Sequence, residues 1–120
     1  MIFFYINSSI QVDRIGSKLL GDSWLGVYSL DKIPYIPVNK AIIVNTHSSN
    51  LGGEHWIAVY RKPAKILVFD PFGFYYPSML VSHLSRLCKT IVYNKVRYQQ
   101  WFSQNCGQLC LLWLKKQHYS

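Results

Sequence analysis

Four side chains in this sequence are of types that do chemistry together: His55, Asp70, Cys106 and a glutamine shortly before that cysteine. A histidine beside a carboxylate has its tautomer set and its imidazolium supported, which suits a general base. A cysteine near such a histidine becomes a thiolate nucleophile at neutral pH. Cys106 is followed by Gly107 and an apolar helical stretch, so its thiol sits at the positive end of a helix dipole. Gln99, Gln100 and Gln104 precede it. One of their amides, with the Cys106 backbone N–H, would form an oxyanion hole. Each residue alone also has a plainer reading: a structural His–Asp hydrogen bond, and a small buried thiol at Cys106 and at Cys110.

Two strands must bring His55 to Asp70. Residues 56–60 and 65–69 are strand-like and flank Arg61-Lys62-Pro63-Ala64. A four-residue loop there makes opposed residue numbers sum to 125, so His55 faces Asp70, Trp56 faces Phe69 and Ala58 faces Leu67. Opposed Cβ atoms lie roughly 4.5–5.5 Å apart. Both faces of this hairpin are apolar, which places it centrally in a sheet. Trp56 offers a wall beside the imidazole and a core aromatic on Phe69, two compatible roles.

The remaining elements read as follows. Asn7-Ser8-Ser9 caps a helix carrying Ile10, Ile15, Leu19 and Leu20, ended by Gly21. Residues 24–30 are short and apolar, 32–39 a loop with two prolines, 41–44 a strand and 46–53 a loop. Pro77 opens a helix with Met79, Leu80, Leu84 and Leu87 on one side. Residues 90–98 alternate as a strand, and residues 107–117 form a last helix with Leu109, Leu112 and Trp113, ending in Lys115-Lys116.

Composition narrows the classes. The 120 residues are 50% hydrophobic and 15% charged, which excludes a disordered chain and predicts one domain over 1–120. No apolar run approaches the roughly 20 residues of a membrane span, so no membrane partner is expected. The apolar start lacks a basic n-region and a cleavage site, so it reads as a strand or arm. Thirteen Lys and Arg against five acids give +8, a charge that attracts nucleic acid or another anion. Arg61, Lys62, Lys115 and Lys116 are the candidate contacts. Three cysteines cannot all pair and lack metal-site spacing, so free thiols, a reducing compartment and no structural metal are expected.

Taken together, Gly52-Gly53-Glu54-His55-Trp56-Ile57-Ala58, Phe69-Asp70-Pro71-Phe72-Gly73-Phe74 and Asn105-Cys106-Gly107-Gln108-Leu109-Cys110 resemble the adenovirus-type cysteine endopeptidases, the adenains. Trp24-Leu25-Gly26-Val27-Tyr28 and Ala41-Ile42-Ile43-Val44-Asn45-Thr46 extend the likeness, which covers most of residues 16–113. The resemblance implies an α+β, papain-like fold in permuted order, His then Asp then Cys. A central mixed sheet lies between helices, with the catalytic Cys at a helix N-terminus. It implies a thiol endopeptidase cleaving viral precursor proteins at glycine-containing sites, without metal or organic cofactor. Gly53, Glu54 and Trp56 would contact substrate. It further implies stimulation by DNA and by a basic viral peptide, with Cys88, eighteen residues before Cys106, as the peptide-linking cysteine. A nuclear and virion location follows from the same likeness. The family places its oxyanion Gln seven residues before the Cys, which selects Gln99; the related ubiquitin-like protein proteases place theirs six before, which selects Gln100. Two rivals remain at this level: a deconjugating protease for a ubiquitin-like modifier, and a basic DNA- or capsid-associated protein that keeps the fold without catalysis. The chain stops fourteen residues after Cys106, short of the family's C-terminal helical region, and is expected to be a minimal core or a fragment.

Overall fold

The structure, a computed structural model, describes residues 8–48, 53–71, 73, 76–94 and 106–120, and of residues 47, 48, 53, 54 and 106 the backbone alone. Its elements run α1 (Ser9–Leu20), β1 (Trp24–Ser29), β2 (Ala41–Ser48), β3 (Gly53–Arg61), β4 (Ile66–Phe69), α2 (Ser78–Leu87), β5 (Ile91–Tyr93) and α3 (Cys106–His118). The strands form one sheet in sequence order. β1/β2 and β4/β5 pair parallel, while β2/β3 and β3/β4 pair antiparallel. This is the α+β class with a central mixed sheet between helices, as the sequence predicts.

Alternation along β2, β3 and β4 assigns each face its layer. Ala41, Ile43, Trp56, Ala58, Tyr60 and Phe69 pack against α1 and α3 through Val12, Leu20, Cys110, Leu111 and Leu114. Ile42, Val44, Ile57, Val59, Ile66 and Val68 pack against Leu80 and Leu84 of α2 and against Ile36. Fully burying such side chains stabilises by roughly 1.5–3 kcal/mol each, so both layers are needed. Among the described residues, no helix is long and apolar enough to cross a membrane.

Helix α1 forms as its sequence predicts. The Ser8 hydroxyl accepts from Gln11 N–H at 3.2 Å, and Gly21 closes the helix at φ 55°. Gly16 faces β1 where a side chain would not fit, since an added Cβ would lie 2.5 Å from the Trp24 ring.

Three expectations are corrected. The hairpin is offset by two residues: Ala58 pairs with Phe69 and Arg61 with Ile66. Lys62 N–H donates to Lys65 O at 2.8 Å, so only Pro63 and Ala64 form the tip and Arg61 stays in the strand. Proline presets the turn's φ, which tightens it relative to a four-residue loop. An offset of two keeps every side chain on its face, so the layers survive the error. Second, residues 46–48 and 53 belong to the β2/β3 ladder rather than a loop. Third, Met79 and Leu112 are exposed, 52% and 48%, because the buried stripes run through Leu80, Leu84, Leu111 and Leu114. Of the strand expected over 90–98, Ile91–Tyr93 pairs as β5, and residues 95–98 lie outside the described part. Phe69 stacks on Trp113 of α3 at 5.2 Å, and Trp56 pairs with Asn45 of β2.

Candidate active site

Strand β3 carries His55 into the sheet, opposite Thr46 of β2. The buried Thr46 hydroxyl donates to His55 O at 3.0 Å and ties the histidine's backbone down. Asp70 comes one residue past the end of β4. The observed register, extended by one residue, puts it across from Ile57, so it is a diagonal neighbour of His55. Diagonal neighbours stay within reach of long side chains. His55 Nε2 meets Asp70 Oδ1 at 2.6 Å, with the side chains 6% and 0% exposed. The pair that the hairpin counting predicts therefore forms, through a register the counting missed.

The Asp70 backbone is held from two sides. Its carbonyl accepts from Gly73 N–H at 2.8 Å, and Gly73 takes φ 79°. Such a positive φ favours glycine. From β5's side, Asn94 Oδ1 accepts from Asp70 N–H at 2.8 Å and Asn94 Nδ2 donates to Asp70 O at 2.7 Å. Tyr76 O–H donates toward Asn94 Oδ1 at 2.5 Å and Asn94 O at 2.7 Å. Burial, then the nearby Asp70 charge, push the Tyr76 phenol far above its usual range, so it remains a donor. Asn94 and Tyr76 are site-forming residues that sequence reasoning missed. Nothing local marks them, because the parallel β4/β5 pairing that brings them to Asp70 is not written in either segment.

Cys106 is the first residue of α3, as predicted, with Lys115, Lys116 and His118 in the last turn. Cys110 Sγ donates to Trp56 O at 3.3 Å, and Tyr60 Oη lies 2.8 Å from His118 Nδ1. Eight helical residues rise about 12 Å. Four strand residues rise about 13 Å. α3 therefore runs alongside β3 in the same direction. Cys106 begins one turn, about 6 Å, before Cys110, which brings the backbone of the helix's start back past Trp56 toward His55.

Other sequence candidates separate into three groups. Gln99 and Gln100 lie outside the described residues, as do the side chains of Glu54 and Cys106, while Gly53 opens β3 opposite Ser48. Trp56 is 2% exposed and packs in the core layer with α3. Arg61 and Lys62 are not loose cations. Arg61 donates to Ile36 O at 2.7 Å and Leu87 O at 3.2 Å, while Lys62 donates to Gln117 O at 2.8 Å. Both are spent joining segments, because backbone carbonyls at the ends of α2 and α3 lack helical partners. Lys115 and Lys116 are exposed. Cys88 is half-buried at the end of α2, with Sγ 3.5 Å from Thr90 O. Among the described residues, no group of three or more His, Cys, Asp or Glu could hold a metal ion.

The adenovirus endoprotease family matches residues 24–120. No curated protein matches the chain in sequence. Among solved structures, the chain is similar to the ASFV pS273R protease, with a TM-score of 0.59 and 12% identity, over 92% of this chain and 57% of that one. At that identity the likeness speaks for the fold, and the chain spans a little over half of that protein's length. The match runs from the first strand to the end of α3, across His55, Asp70 and Cys106: this chain belongs to the adenovirus endoprotease family.

Proposed function

We propose that the chain is a thiol endopeptidase acting on viral precursor proteins at glycine-containing sites, with Cys106, His55 and Asp70 as its triad. The observation that carries this reading is the buried 2.6 Å pair between His55 Nε2 and Asp70 Oδ1, beside a helix that opens on Cys106. With Nε2 committed to the carboxylate, proton exchange with the thiol runs through Nδ1. His55 takes the Cys106 proton, and the thiolate attacks the scissile carbonyl. The tetrahedral oxyanion accepts from the Cys106 N–H and from the side chain of Gln99, or of Gln100. The imidazolium then protonates the departing amine, leaving a thioester. Water, deprotonated by His55, releases the acid and restores the thiol. A narrow groove beside the triad would select glycine, which alone lacks a Cβ. Stimulation by DNA and by a basic peptide tethered at Cys88 belongs to the same proposal, as does action in the infected nucleus and virion.

The test uses an electrophilic glycine-aldehyde or vinyl-sulfone probe with a panel of substrates. The parent should be labelled and should cut glycine-containing peptides of viral type, while Cys106→Ala should lose both and keep its fold. Labelling lost in Cys110→Ala but kept in Cys106→Ala would overturn the assignment. Preference for conjugates of a ubiquitin-like modifier would move the protein to the deconjugating class. An unlabelled, inactive parent would leave a binding protein on a protease fold.

A further inference from the structure

We infer that Asn94 is the positioning residue for the Asp70 carboxylate, with Tyr76 locking its amide; this rests on the proposed thiol-protease reading of the site.

The argument starts from where β4 stops. Phe69 makes the last β3 pairing of that strand, so Asp70 has left the antiparallel ladder. An acid there would be free to swing unless something replaced the lost ladder bonds. Asn94 supplies the replacement. Its N–H still donates to Val68 O at 3.3 Å, continuing the parallel β4/β5 pairing. Its side-chain amide then acts as the next peptide unit, accepting from Asp70 N–H at 2.8 Å and donating to Asp70 O at 2.7 Å. Asparagine suits this because its carboxamide carries a donor and an acceptor in the geometry of a backbone amide.

A two-sided contact of this kind works only with the amide the right way round. Asp70 N–H fixes the orientation because it needs an acceptor, and Tyr76 O–H adds a bond to the same Oδ1 at 2.5 Å. The Tyr76 ring is itself braced on Tyr93 of β5, 4.5 Å between centroids. Asn94 acts through the Asp70 backbone, whose side chain reaches His55 Nε2 at 2.6 Å. Displacing a catalytic group by about 1 Å can cost on the order of 10²-fold in rate.

The experiment compares the full chain with Asn94→Ala, Asn94→Asp and Tyr76→Phe. Asn94→Asp keeps the acceptor, loses the donor and adds a like charge. Three readouts are taken: kcat and KM on a glycine-containing peptide, the low-field proton resonance of the His55 imidazole N–H, and the melting temperature. Both Asn94 variants should lose roughly 10- to 10²-fold in kcat with little change in KM. The low-field resonance should vanish or move upfield in step, and Tyr76→Phe should fall between them and the parent. A residue that merely stabilised the fold would lower the melting temperature and leave the resonance and kcat in place; that result in Asn94→Ala overturns the inference. If Asn94→Ala does not fold, Tyr76→Phe decides by the same two readouts. If the parent cuts no peptide, the protease reading fails while the resonance still decides positioning. An active parent whose resonance and kcat survive Asn94→Ala fails the positioning inference alone.

Discussion

Replacing Asp70 by Asn removes a charge and almost nothing else, which makes it the sharpest probe of the site. The substituted residue keeps its backbone bonds to Gly73 and Asn94, because those involve only its N–H and C=O. The side chain should therefore stay beside His55. What changes is the support of an imidazolium by a buried carboxylate 2.6 Å from Nε2. Charge centres about 4 Å apart at an effective dielectric near 20 interact by roughly 4 kcal/mol, equivalent to about 10³-fold in rate. A second effect acts in the same direction. The Asn amide can offer N–H to Nε2, which moves the ring proton to Nδ1 and spoils the base. Peptide hydrolysis should fall by on the order of 10³-fold in kcat. Alkylation by iodoacetamide should also lose its reactivity at mildly acid pH, where the parent's imidazolium holds the thiolate. Circular dichroism and the melting curve should remain close to the parent's. A kcat within about threefold of the parent, or superimposable alkylation profiles, would refute the reasoning.

Three further outcomes are expected. Gly16→Ala should destabilise by about 1–2 kcal/mol in urea unfolding, since overpacking costs roughly 1–3 kcal/mol and exceeds the roughly 1 kcal/mol gain in helix propensity. The Trp24 ring cannot easily yield, because its indole N–H donates to Asp13 at 2.8 Å; an unchanged midpoint would contradict the packing. At alkaline pH the Tyr76 phenol, raised above its ordinary 10.0 in the folded state, contributes stability that is complete below pH 10.0 and is lost as pH climbs toward the folded value. The parent should thus lose stability more steeply above pH 10.0 than Tyr76→Phe, with parallel urea midpoints counting against it. For duplex DNA, affinity should fall steeply with salt. Lys115→Ala with Lys116→Ala should weaken it, whereas Lys62→Ala should act mainly on stability; no binding at low salt would leave the +8 charge without a nucleic-acid role.

Much of this protein is legible residue by residue, because the causes are local. The Ser8 cap and Gly21 stop act within one helix, and β-branched runs make strands wherever they can be covered. The two apolar faces of the hairpin announce a central position, and a face assignment tolerates an error of two in register. The meeting of His55 and Asp70 belongs to this class, since one hairpin holds both. Cys106 at a helix start is likewise a property of its neighbours in sequence.

Tertiary structure decided what depends on segments far apart in the chain. Arg61 and Lys62 read as a basic surface pair, but unfilled carbonyls of Ile36, Leu87 and Gln117 lie within their reach. Trp56 reads as a wall beside the imidazole and a core aromatic, and only α3, whose Cys110 donates to the Trp56 carbonyl, shows what covers it. The parallel β4/β5 pairing sets Asn94 against Asp70 across 24 residues of chain. Local propensity selects the elements; which carbonyl, charge or amide faces which is settled only when the layers close and each buried polar group must find its partner.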